Sequence, residues 1–575
     1  MKKRLLLLLG MTLFLCQAIN AQSWQWGKRG GSSDTYGTGA DEKVVDMTTD
    51  RQGNVYILSS VMQTGLNVDG HPVTEWGDYD MLITSFKCDG SYRWSKDIGN
   101  SNRDIPVALK TDTLGGVYVT GFSLIYGLTV HIDADTTVYS ASAFKSLLLV
   151  KFDTAGNYKW LKMPEPDTTT VSGATARPLD MDVDGGGNVY WMCALPPGAF
   201  ADGSYVVTTK GVYILKYDRY GNFISGTQMQ ISYDAIAVGG LFMKRDKING
   251  RYYITGYVGG GVTVLSFNGT AITHALFVGC FNSSGTFLWE KQDVQYGGGG
   301  FPRVEIDAIG NIFLSSQTIN NDTFNTYVPA NAFYAAPFIT EMDSNGNFIW
   351  AKNATTNGAC GCSAAMNAGK CAILNGGEID ISGFCGKLVW PGYPDSLNIA
   401  FGLGSHIFTT RFNAVTGVVL GLDSLISTTG TNNEVTALAS DAYGSFYIGG
   451  DFQSGITVNG STLTSAGGGS DFFVAKYGYS NCSNPGALEA PPGLPQGEEM
   501  EVRVYPNPAT DEINIEHAGV GSTIRLLNMV GQQVYSAVVS SDKEVINMGH
   551  LVRGTYLLQI TQADGNRVVR TLVKE

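Results

Sequence analysis

The sequence predicts an all-β protein: a seven-bladed β-propeller closed by its own N-terminal strand, followed by a small Ig-like β-sandwich. Three observations lead to this prediction. A turn-and-strand pattern recurs about every 65 residues along most of the chain. The composition, with 73 Gly, 26 Phe and 28 Tyr but only 15% charged residues, suits short strands joined by tight turns. A final segment of short alternating apolar runs predicts a separate small β unit.

Residues 1–21 have the order of a secretory signal peptide. A positively charged start is followed by an apolar run of about 11 residues and by a small residue, Ala21, before Gln22. The run is too short for a bilayer span of about 20 residues, and no later run approaches that length. We predict cleavage between Ala21 and Gln22. The alternatives are an N-terminal membrane anchor and a lipoprotein at Cys16, whose preceding residues are bulky.

Residues 22–480 contain the repeat that predicts the propeller. Its first element is a turn followed by a strand, usually with an Asp three residues before the turn Gly. Such an Asp hydrogen-bonds its own backbone, and Gly or Asn takes the positive φ of a hairpin turn. Five copies are clear and two are looser, and their turn glycines are Gly53, Gly115, Gly187, Gly250, Gly310, Gly377 and Gly444.

The second element of the repeat is an apolar strand, a turn, and a strand that carries Trp. Trp94, Trp160, Trp289 and Trp350 mark four copies, whereas the third and sixth copies lack it. Each copy therefore predicts four strands, and four-stranded units repeated around an axis form a propeller. The rival interpretations are an open solenoid and a pair of β-sandwiches. The Trp and Tyr residues at repeat positions are expected to form the core between blades.

The seventh copy stops at residues 475–477 without a Trp strand. The missing strand lies at the mature N-terminus, where Trp26 and Lys28 repeat the Trp-x-Lys spacing of the other copies. Closing the ring with the first strand would remove an open sheet edge. We therefore predict that Trp26 pairs with residues 472–477. The pattern resembles the D-x-x-G-N-x-Y-V-T-G signature of bacterial beta-propeller repeat proteins, a resemblance that implies a fold and no activity.

Residues 501–575 predict a second unit, after a linker at 481–500 that is rich in Pro, Gly and Glu. Short alternating apolar runs, separated by turns of Gly, Asn and Asp, predict six or seven strands in a small β-sandwich. The Pro-Asn-Pro sequence at 506–508 cannot continue a strand ladder, so it marks the start of the unit.

Four motifs follow one another in this second unit: V-Y-P-N-P, L-L-N-M-V-G-Q-Q-V, L-x-x-G-x-Y-L-L-Q-I and a basic ending, V-K-E. Together they resemble the type A sorting domain of the type IX secretion system of Bacteroidetes. The resemblance implies handling by the type IX secretion machinery, passage from the periplasm across the outer membrane, and removal of the domain. Attachment to surface lipopolysaccharide or release would follow. An ordinary Ig-like module is the alternative. The motif residues are Tyr505, Pro506, Asn507, Pro508, Gly531, Gly554, Tyr556 and Lys574.

Eight cysteines remain after removal of the signal peptide. In an exported protein they are expected to form disulfides. Zinc is the alternative for the cluster at residues 360–385, although it has no C-x-x-C pair and no nearby His. Asp180, Asp182 and Asp184 look like the head of a calcium loop, but Trp191 stands where that loop needs Glu. We therefore expect neither a metal nor another cofactor.

No catalytic motif is recognisable in the sequence. The six His are scattered, and neither H-E-x-x-H nor G-x-S-x-G occurs. A net charge of −13, with no basic run after the signal peptide, argues against nucleic-acid binding.

The leading functional hypothesis is an exported binding or adhesion propeller with a glycan or protein ligand. Recognition is expected on the long loops after the second strand of each blade, such as 126–142 and 320–334. The alternative is a glycan hydrolase or lyase with carboxylates meeting in the central funnel, and a third possibility is a coat protein without a ligand. Two facing carboxylates at one mouth would favour the enzyme, whereas aromatic and amide side chains there would favour binding.

Overall fold

The computed structural model of the chain divides into two compact units, Met1–Cys482 and Ser483–Glu575. Every regular element among the described residues is a β-strand. No helix in that part of the chain is long and apolar enough to cross a membrane. The structure describes residues 22–33, 42–62, 65–77, 79–125, 128–133, 136–140, 145–166, 176–256, 258, 262–274, 276–293, 302–318, 323–324, 327–328, 336–355, 370–373, 377–398, 406–427, 433–467, 469–479, 482, 503–516, 518, 522–528, 533–539, 541, 543–549, 551–561 and 567–575.

The first unit is built from antiparallel sheets with a core of four strands each, which we number in chain order of their first strands. Sheet 1 consists of Lys43–Thr49, Val55–Met62, Tyr79–Phe86 and Tyr92–Ile98. Sheet 2 consists of Asp104–Thr111, Gly116–Ile125, Lys145–Asp153 and Tyr158–Lys162. Sheet 3 consists of Arg177–Val183, Val189–Leu195, Gly211–Tyr217 and Phe223–Gln228. Sheet 4 consists of Leu241–Arg245, Tyr252–Gly256, Phe277–Phe281 and Phe287–Gln292.

The later sheets of this unit follow the same order, except for the fourth strand of the last one. Sheet 5 consists of Arg303–Ile306, Ile312–Thr318, Ala336–Met342 and Phe348–Asn353. Sheet 6 consists of Lys370–Ile373, Glu378–Cys385, His406–Asn413 and Val419–Ser427. Sheet 7 consists of Glu434–Ser440, Phe446–Phe452, Asp471–Gly478 and the N-terminal strand Ser23–Gly31.

The turns between first and second strands follow the repeated Asp and Gly. In sheet 1, Asp50 Oδ1 accepts hydrogen bonds from the backbone N–H of Gln52 and Asn54, both at 2.9 Å. Its Oδ2 accepts from Asn54 Nδ2 and from the Tyr56 hydroxyl, both at 2.8 Å. Gly53 has φ 73°, a conformation that costs a side-chain-bearing residue free energy. The local sequence therefore specifies this turn almost completely.

The second and third strands of each sheet are buried on both faces, because neighbouring sheets cover them from either side. Val189–Leu195 and Phe446–Phe452 are buried at every position. These strands read as continuous apolar runs and not as an alternation of apolar and polar residues. Between sheets 1 and 2 the shared core includes Leu58, Ile83 and Leu148, none of which is exposed.

The connections between second and third strands contain short hairpins, where the sequence suggested long loops. They are Asn67–Val68 with His71–Pro72, Leu128–His131 with Thr137–Ser140, Gly198–Phe200 with Tyr205–Val207, Val262–Phe267 with Thr270–Ile272, Lys387–Val389 with Ser396–Asn398, and Gly455–Val458 with Ser461–Thr464. The strand Ile231–Ile236 pairs with Val262–Phe267.

Several of these hairpins reach back to the outer strand of the preceding sheet. Val68 pairs with Gly30 of sheet 7, and Thr457 pairs with Ile426 of sheet 6. A β-bridge joins His131 to Gly99, just after the last strand of sheet 1. The loop predicted at 126–142 is therefore partly a hairpin that fastens one sheet to the next. Most of the loop predicted at 320–334 lies outside the described residues.

The second unit contains two antiparallel sheets around one apolar core. The first sheet has Arg503–Tyr505, Glu512–Glu516 and Lys543–Asn547. The second has Thr523–Asn528, Gln533–Val538, Gly554–Thr561 and Arg567–Lys574. Their alternating apolar residues meet between the sheets, where Ile513, Leu526 and Leu558 are fully buried. This agrees with the small all-β unit that the alternation predicts.

Candidate functional site

The repeated Trp residues join neighbouring sheets. Each indole Nε1 donates a hydrogen bond to a backbone carbonyl in the third-to-fourth turn of the next sheet. The pairs are Trp26 to Cys88 (2.9 Å), Trp94 to Thr154 (3.0 Å), Trp160 to Arg219 (3.1 Å), Trp289 to Ser344 (3.2 Å) and Trp350 to Ala414 (2.9 Å). These indoles satisfy a polar group and fill space between sheets, so their role is structural.

The Lys of the Trp-x-Lys pattern lies on the same face of the outer strand, since residues two apart in a strand point the same way. Lys28 pairs with Asp69 at 2.7 Å, and Lys96 pairs with Asp133 at 3.5 Å. Both Asp residues belong to the connection between second and third strands of the following sheet. The Trp-x-Lys pattern therefore corresponds to two neighbouring contacts between one sheet and the next, an indole hydrogen bond and a Lys–Asp ion pair.

One disulfide joins the first and last sheets. Cys88, in the turn before the fourth strand of sheet 1, is bonded to Cys482, with a Cα–Cα distance of 5.6 Å. Lys476 of sheet 7 places its Nζ 3.2 Å from the carbonyl oxygen of Cys88. The disulfide therefore connects residues on either side of the junction between sheets 7 and 1.

The expectation that all eight cysteines form disulfides is wrong for Cys193 and Cys280, which are buried free thiols. Burial raises the pKa of Cys193 well above its usual range and that of Cys280 to about 12. Both therefore behave as small apolar residues of the core. Cys360, Cys362 and the side chain of Cys371 lie outside the described residues, so disulfide or zinc chemistry in that cluster stays a prediction.

The acidic residues Asp180 and Asp182 stabilise a sheet edge. Asp180 Oδ2 accepts from the backbone N–H of Met243 at 2.7 Å, and Asp182 Oδ2 accepts from that of Arg245 at 3.1 Å. The first strand of each sheet is an edge with unpaired N–H groups, which need such acceptors. Within the described ranges, no three His, Cys, Asp or Glu side chains are arranged to hold a metal ion.

Three carboxyl groups lie beneath the surface where sheets 1 and 2 meet. Asp80, Asp97 and Asp104 are 2%, 4% and 1% exposed. Burial raises the pKa of Asp104 to about 8, and burial with the neighbouring Asp80 carboxylate raises that of Asp97 well above its usual range. Because a substrate cannot reach these groups, they do not form an accessible acid–base pair for glycoside cleavage.

Aromatic side chains cover this buried acid group. The rings of Trp76 and His131 stack with centroids 3.7 Å apart and planes 6° apart. Tyr79 forms a β-bridge with Arg103, whose guanidinium lies 4.6 Å from the centre of the Tyr79 ring. Trp76, His131 and Tyr79 are partly buried and Arg103 is exposed. We call these four residues the Trp76 cluster.

The sequence did not point to the Trp76 cluster, because its members come from three separate segments. Trp76 precedes the third strand of sheet 1 and Tyr79 begins it, Arg103 lies between sheets 1 and 2, and His131 ends a hairpin strand. The signal available was the polar and aromatic run at residues 75–80, which has no counterpart in the repeat pattern.

The structure brings together several predicted residues of the second unit. Asn507 Oδ1 accepts from the backbone N–H of Val573 at 2.9 Å, and Ala509 forms a β-bridge with Lys574. The Pro-Asn-Pro motif therefore lies beside the V-K-E ending. Tyr556 is elsewhere, with its hydroxyl donating to the Val552 carbonyl at 2.6 Å.

The remaining predicted residues are placed as follows. The Tyr505 hydroxyl hydrogen-bonds to Glu516, and Gly554 begins a strand. Gln22 Nε2 donates to the Gly444 carbonyl at 3.2 Å. Gly531 and Ala21 lie outside the described residues. Pro506 and Pro508 are exposed members of the first turn.

Comparison with known proteins bears directly on the second unit. Residues 503–575 match the family model of the secretion system C-terminal sorting domain. No curated protein matches the chain.

Solved structures are similar to the chain only at low identity. The quinohemoprotein alcohol dehydrogenase of Comamonas testosteroni has 11% identity and a TM-score of 0.36, covering 83% of this chain and 79% of its own. PorZ, a surface component of the type IX secretion system of Porphyromonas gingivalis, has 10% identity and a TM-score of 0.15, covering 93% and 99%. The β-propeller domain of Myceliophteria thermophila Cps50 (Swd1) has 7% identity and a TM-score of 0.33, covering 77% and 99%.

At these TM-scores, no activity, ligand or partner of those proteins extends to this chain. The family match, together with the motifs and their placement, identifies residues 503–575 as a type IX secretion sorting tail, which follows an all-β body and marks the chain for export to the cell surface or for secretion.

Proposed function

We propose that this chain is a type IX secretion substrate whose mature part is a closed, seven-bladed binding or adhesion propeller. In this proposal residues 1–21 are a signal peptide, 22–480 the propeller, 481–500 a linker and 501–575 a sorting domain that is removed. The mature protein then stays on surface lipopolysaccharide or is released.

Closure of the ring is supported by contacts between the two ends of the body. Trp26 lies opposite Lys476 in an antiparallel register that runs from Ser23 to Gly30. The Thr49 hydroxyl of sheet 1 donates to the Ser440 carbonyl of sheet 7 at 2.6 Å. A hydrogen bond of the same kind joins sheets 1 and 2. The contact between sheets 7 and 1 therefore resembles the contact between two consecutive sheets.

A binding role is supported by one observation above the others. The Trp76 cluster offers aromatic rings and a guanidinium at the surface, while the acids next to it are enclosed. Aromatic side chains with a polar end are typical of recognition surfaces, because they contribute contact area with few rotatable bonds. An accessible pair of carboxylates, which the hydrolase alternative needs, does not occur in this group.

The export route is tested by intact mass and terminal sequencing of protein from cells and medium. We expect a start at Gln22 and the loss of everything after the linker at 481–500. A retained C-terminal unit would contradict removal of the sorting domain. Fractionation of cells and medium then distinguishes surface attachment from release.

The binding role is tested with the full mature chain on immobilised polysaccharides and immobilised proteins, with reducing ends assayed in parallel. We expect saturable retention without new reducing ends. Release of reducing ends in proportion to time and protein would favour the hydrolase, and unsaturated products absorbing in the ultraviolet would favour a lyase. The absence of any retained ligand would favour a coat protein.

A further inference from the structure

We infer that the Trp76 cluster is a saccharide-binding site, formed where sheets 1 and 2 meet. This inference rests on the proposed binding function, since it names the class of ligand and the surface that takes it.

The loop that carries Trp76 is held rigidly. The backbone N–H groups of Trp76 and Gly77 both donate to Asp80 Oδ2, at 2.8 and 3.0 Å. A Cβ on Gly77 would lie 1.8 Å from the Asn100 carbonyl oxygen, so the two loops touch through backbone. Because these loops are fixed before a ligand arrives, binding costs little conformational entropy.

The opposing loop is held by a second buried acid. Asn100 donates from its backbone N–H to Asp104 Oδ2 at 2.8 Å, and its side-chain amide donates to the Ser123 hydroxyl at 2.8 Å. Asn102 N–H donates back to Asn100 Oδ1 at 2.6 Å. The buried carboxyl groups therefore position the loops that present Trp76 and Arg103.

The exposed chemistry of the cluster fits a sugar. A pyranose has a flat face of C–H groups and a rim of hydroxyls, so it needs an aromatic plane with hydrogen-bonding groups beside it. The Trp76–His131 stack provides the plane, and the Arg103 guanidinium, 4.6 Å from the centre of the Tyr79 ring, provides up to five N–H donors. A few polar groups beside an apolar surface are what orient small ligands in their sites.

Other ligand classes fit this surface less well. A nucleic-acid ligand could stack on the same rings, but the chain has a net charge of −13 and phosphate binding needs clustered cations. An apolar peptide would need a continuous aliphatic surface, whereas the Trp76 cluster includes the exposed, charged Arg103. The saccharide is therefore the ligand class that uses both the rings and their polar rim.

A matched control surface exists on sheet 3. Tyr220 is 65% exposed, and the Arg219 guanidinium lies 4.8 Å from the centre of its ring. This pair reproduces the Arg–Tyr contact of the cluster without a Trp–His stack. A variant at Tyr220 therefore removes a comparable exposed aromatic without touching the proposed site.

The test uses the full mature chain and a panel of cello-, manno-, chito- and galacturonate oligosaccharides, with dissociation constants measured by calorimetry. For at least one sugar we expect Trp76→Ala to weaken binding more than about tenfold, because such anchors dominate interfaces. Arg103→Ala should weaken it by a smaller factor, and Tyr220→Ala should leave it unchanged. Trp76→Phe should retain most of the affinity. It is the control which shows that the loss in Trp76→Ala comes from removal of the aromatic ring and not from misfolding.

Three outcomes would overturn the inference. Equal affinity of wild type and Trp76→Ala would place the sugar elsewhere on the body. Binding of an immobilised protein but of no oligosaccharide would refute the ligand class and leave the binding function intact. Binding of neither sugars nor proteins would remove the inference and the proposed function together.

Discussion

Loss of the disulfide between Cys88 and Cys482 should destabilise the body strongly. The bond closes a loop of 394 residues, because it joins the first sheet to the end of the last. For a loop of that length the chain-entropy relation predicts about 6 kcal/mol of stabilisation, whereas measured disulfides typically contribute about 2–4 kcal/mol. We therefore expect Cys88→Ser/Cys482→Ser to lower the free energy of unfolding by at least about 3 kcal/mol.

The assay is denaturant unfolding of the full mature chain, followed by tryptophan fluorescence. All 9 Trp lie between residues 24 and 390, so the signal reports the body and not the sorting tail. Wild type and double variant are compared without reductant, because reductant would also reduce any disulfide that the cysteines at residues 360–385 form. Cys193 and Cys280 are free thiols in both proteins and do not contribute to the difference.

A midpoint of the double variant that equals that of the oxidised wild type would refute this reasoning. It would mean that strand pairing between Ser23–Gly31 and Asp471–Gly478 already restrains the unfolded chain, or that the bond forms only at a cost in native contacts. A changed slope with an unchanged midpoint would instead indicate that the compactness of the denatured state had changed.

Three further predictions follow from individual contacts. Trp94→Phe removes the Nε1 hydrogen bond to the next sheet and should cost about 1–3 kcal/mol in unfolding free energy by the same fluorescence assay, while Trp76→Phe should cost little. The body should melt at a higher temperature at pH 6 than at pH 9. The pKa of Asp104 is about 8 in the folded state and near 3.8 in the unfolded state, so its contribution to stability falls as pH rises from 3.8 to about 8. Asp104→Asn should reduce this dependence without abolishing it, because burial also raises the pKa of Asp97, and a higher melting temperature at pH 9 would contradict the prediction. Gly77→Ala would place a Cβ 1.8 Å from the Asn100 carbonyl oxygen and should lower both stability and sugar affinity. A normal melting curve together with normal affinity would contradict this prediction. 

The turns and the sorting tail were predictable from the sequence because their determinants are local. The Asp50 carboxylate accepts hydrogen bonds from Gln52, Asn54 and Tyr56, all within six residues, so the local pattern contains the turn. The sorting tail likewise carries its motifs within residues 503–575. The Trp-x-Lys spacing was also informative, because both side chains leave one face of one strand.

Other features were not predictable, and two expectations were wrong. Nothing in the sequence distinguishes the free thiols Cys193 and Cys280 from Cys88, which forms a disulfide. The tertiary structure makes the difference, because Cys193 and Cys280 are buried in other sheets. The long connection at 126–142 contains two runs rich in Thr, Val and Tyr, which are too short to predict strands without a known partner. It forms a hairpin where the edge of the preceding sheet offers a partner, as His131 does with Gly99.

The sequence by itself determined the all-β class, the repeated turn, the Trp-x-Lys outer strand and the export tail, since each depends on residues close together in the chain. Only the tertiary structure decided which cysteines pair, which acids are buried and which aromatic rings meet. Trp76 and His131 are separated by a whole sheet in sequence, and their rings stack because two sheets pack side by side. Side-chain contacts between sheets depend on that packing, and a one-dimensional pattern does not contain it.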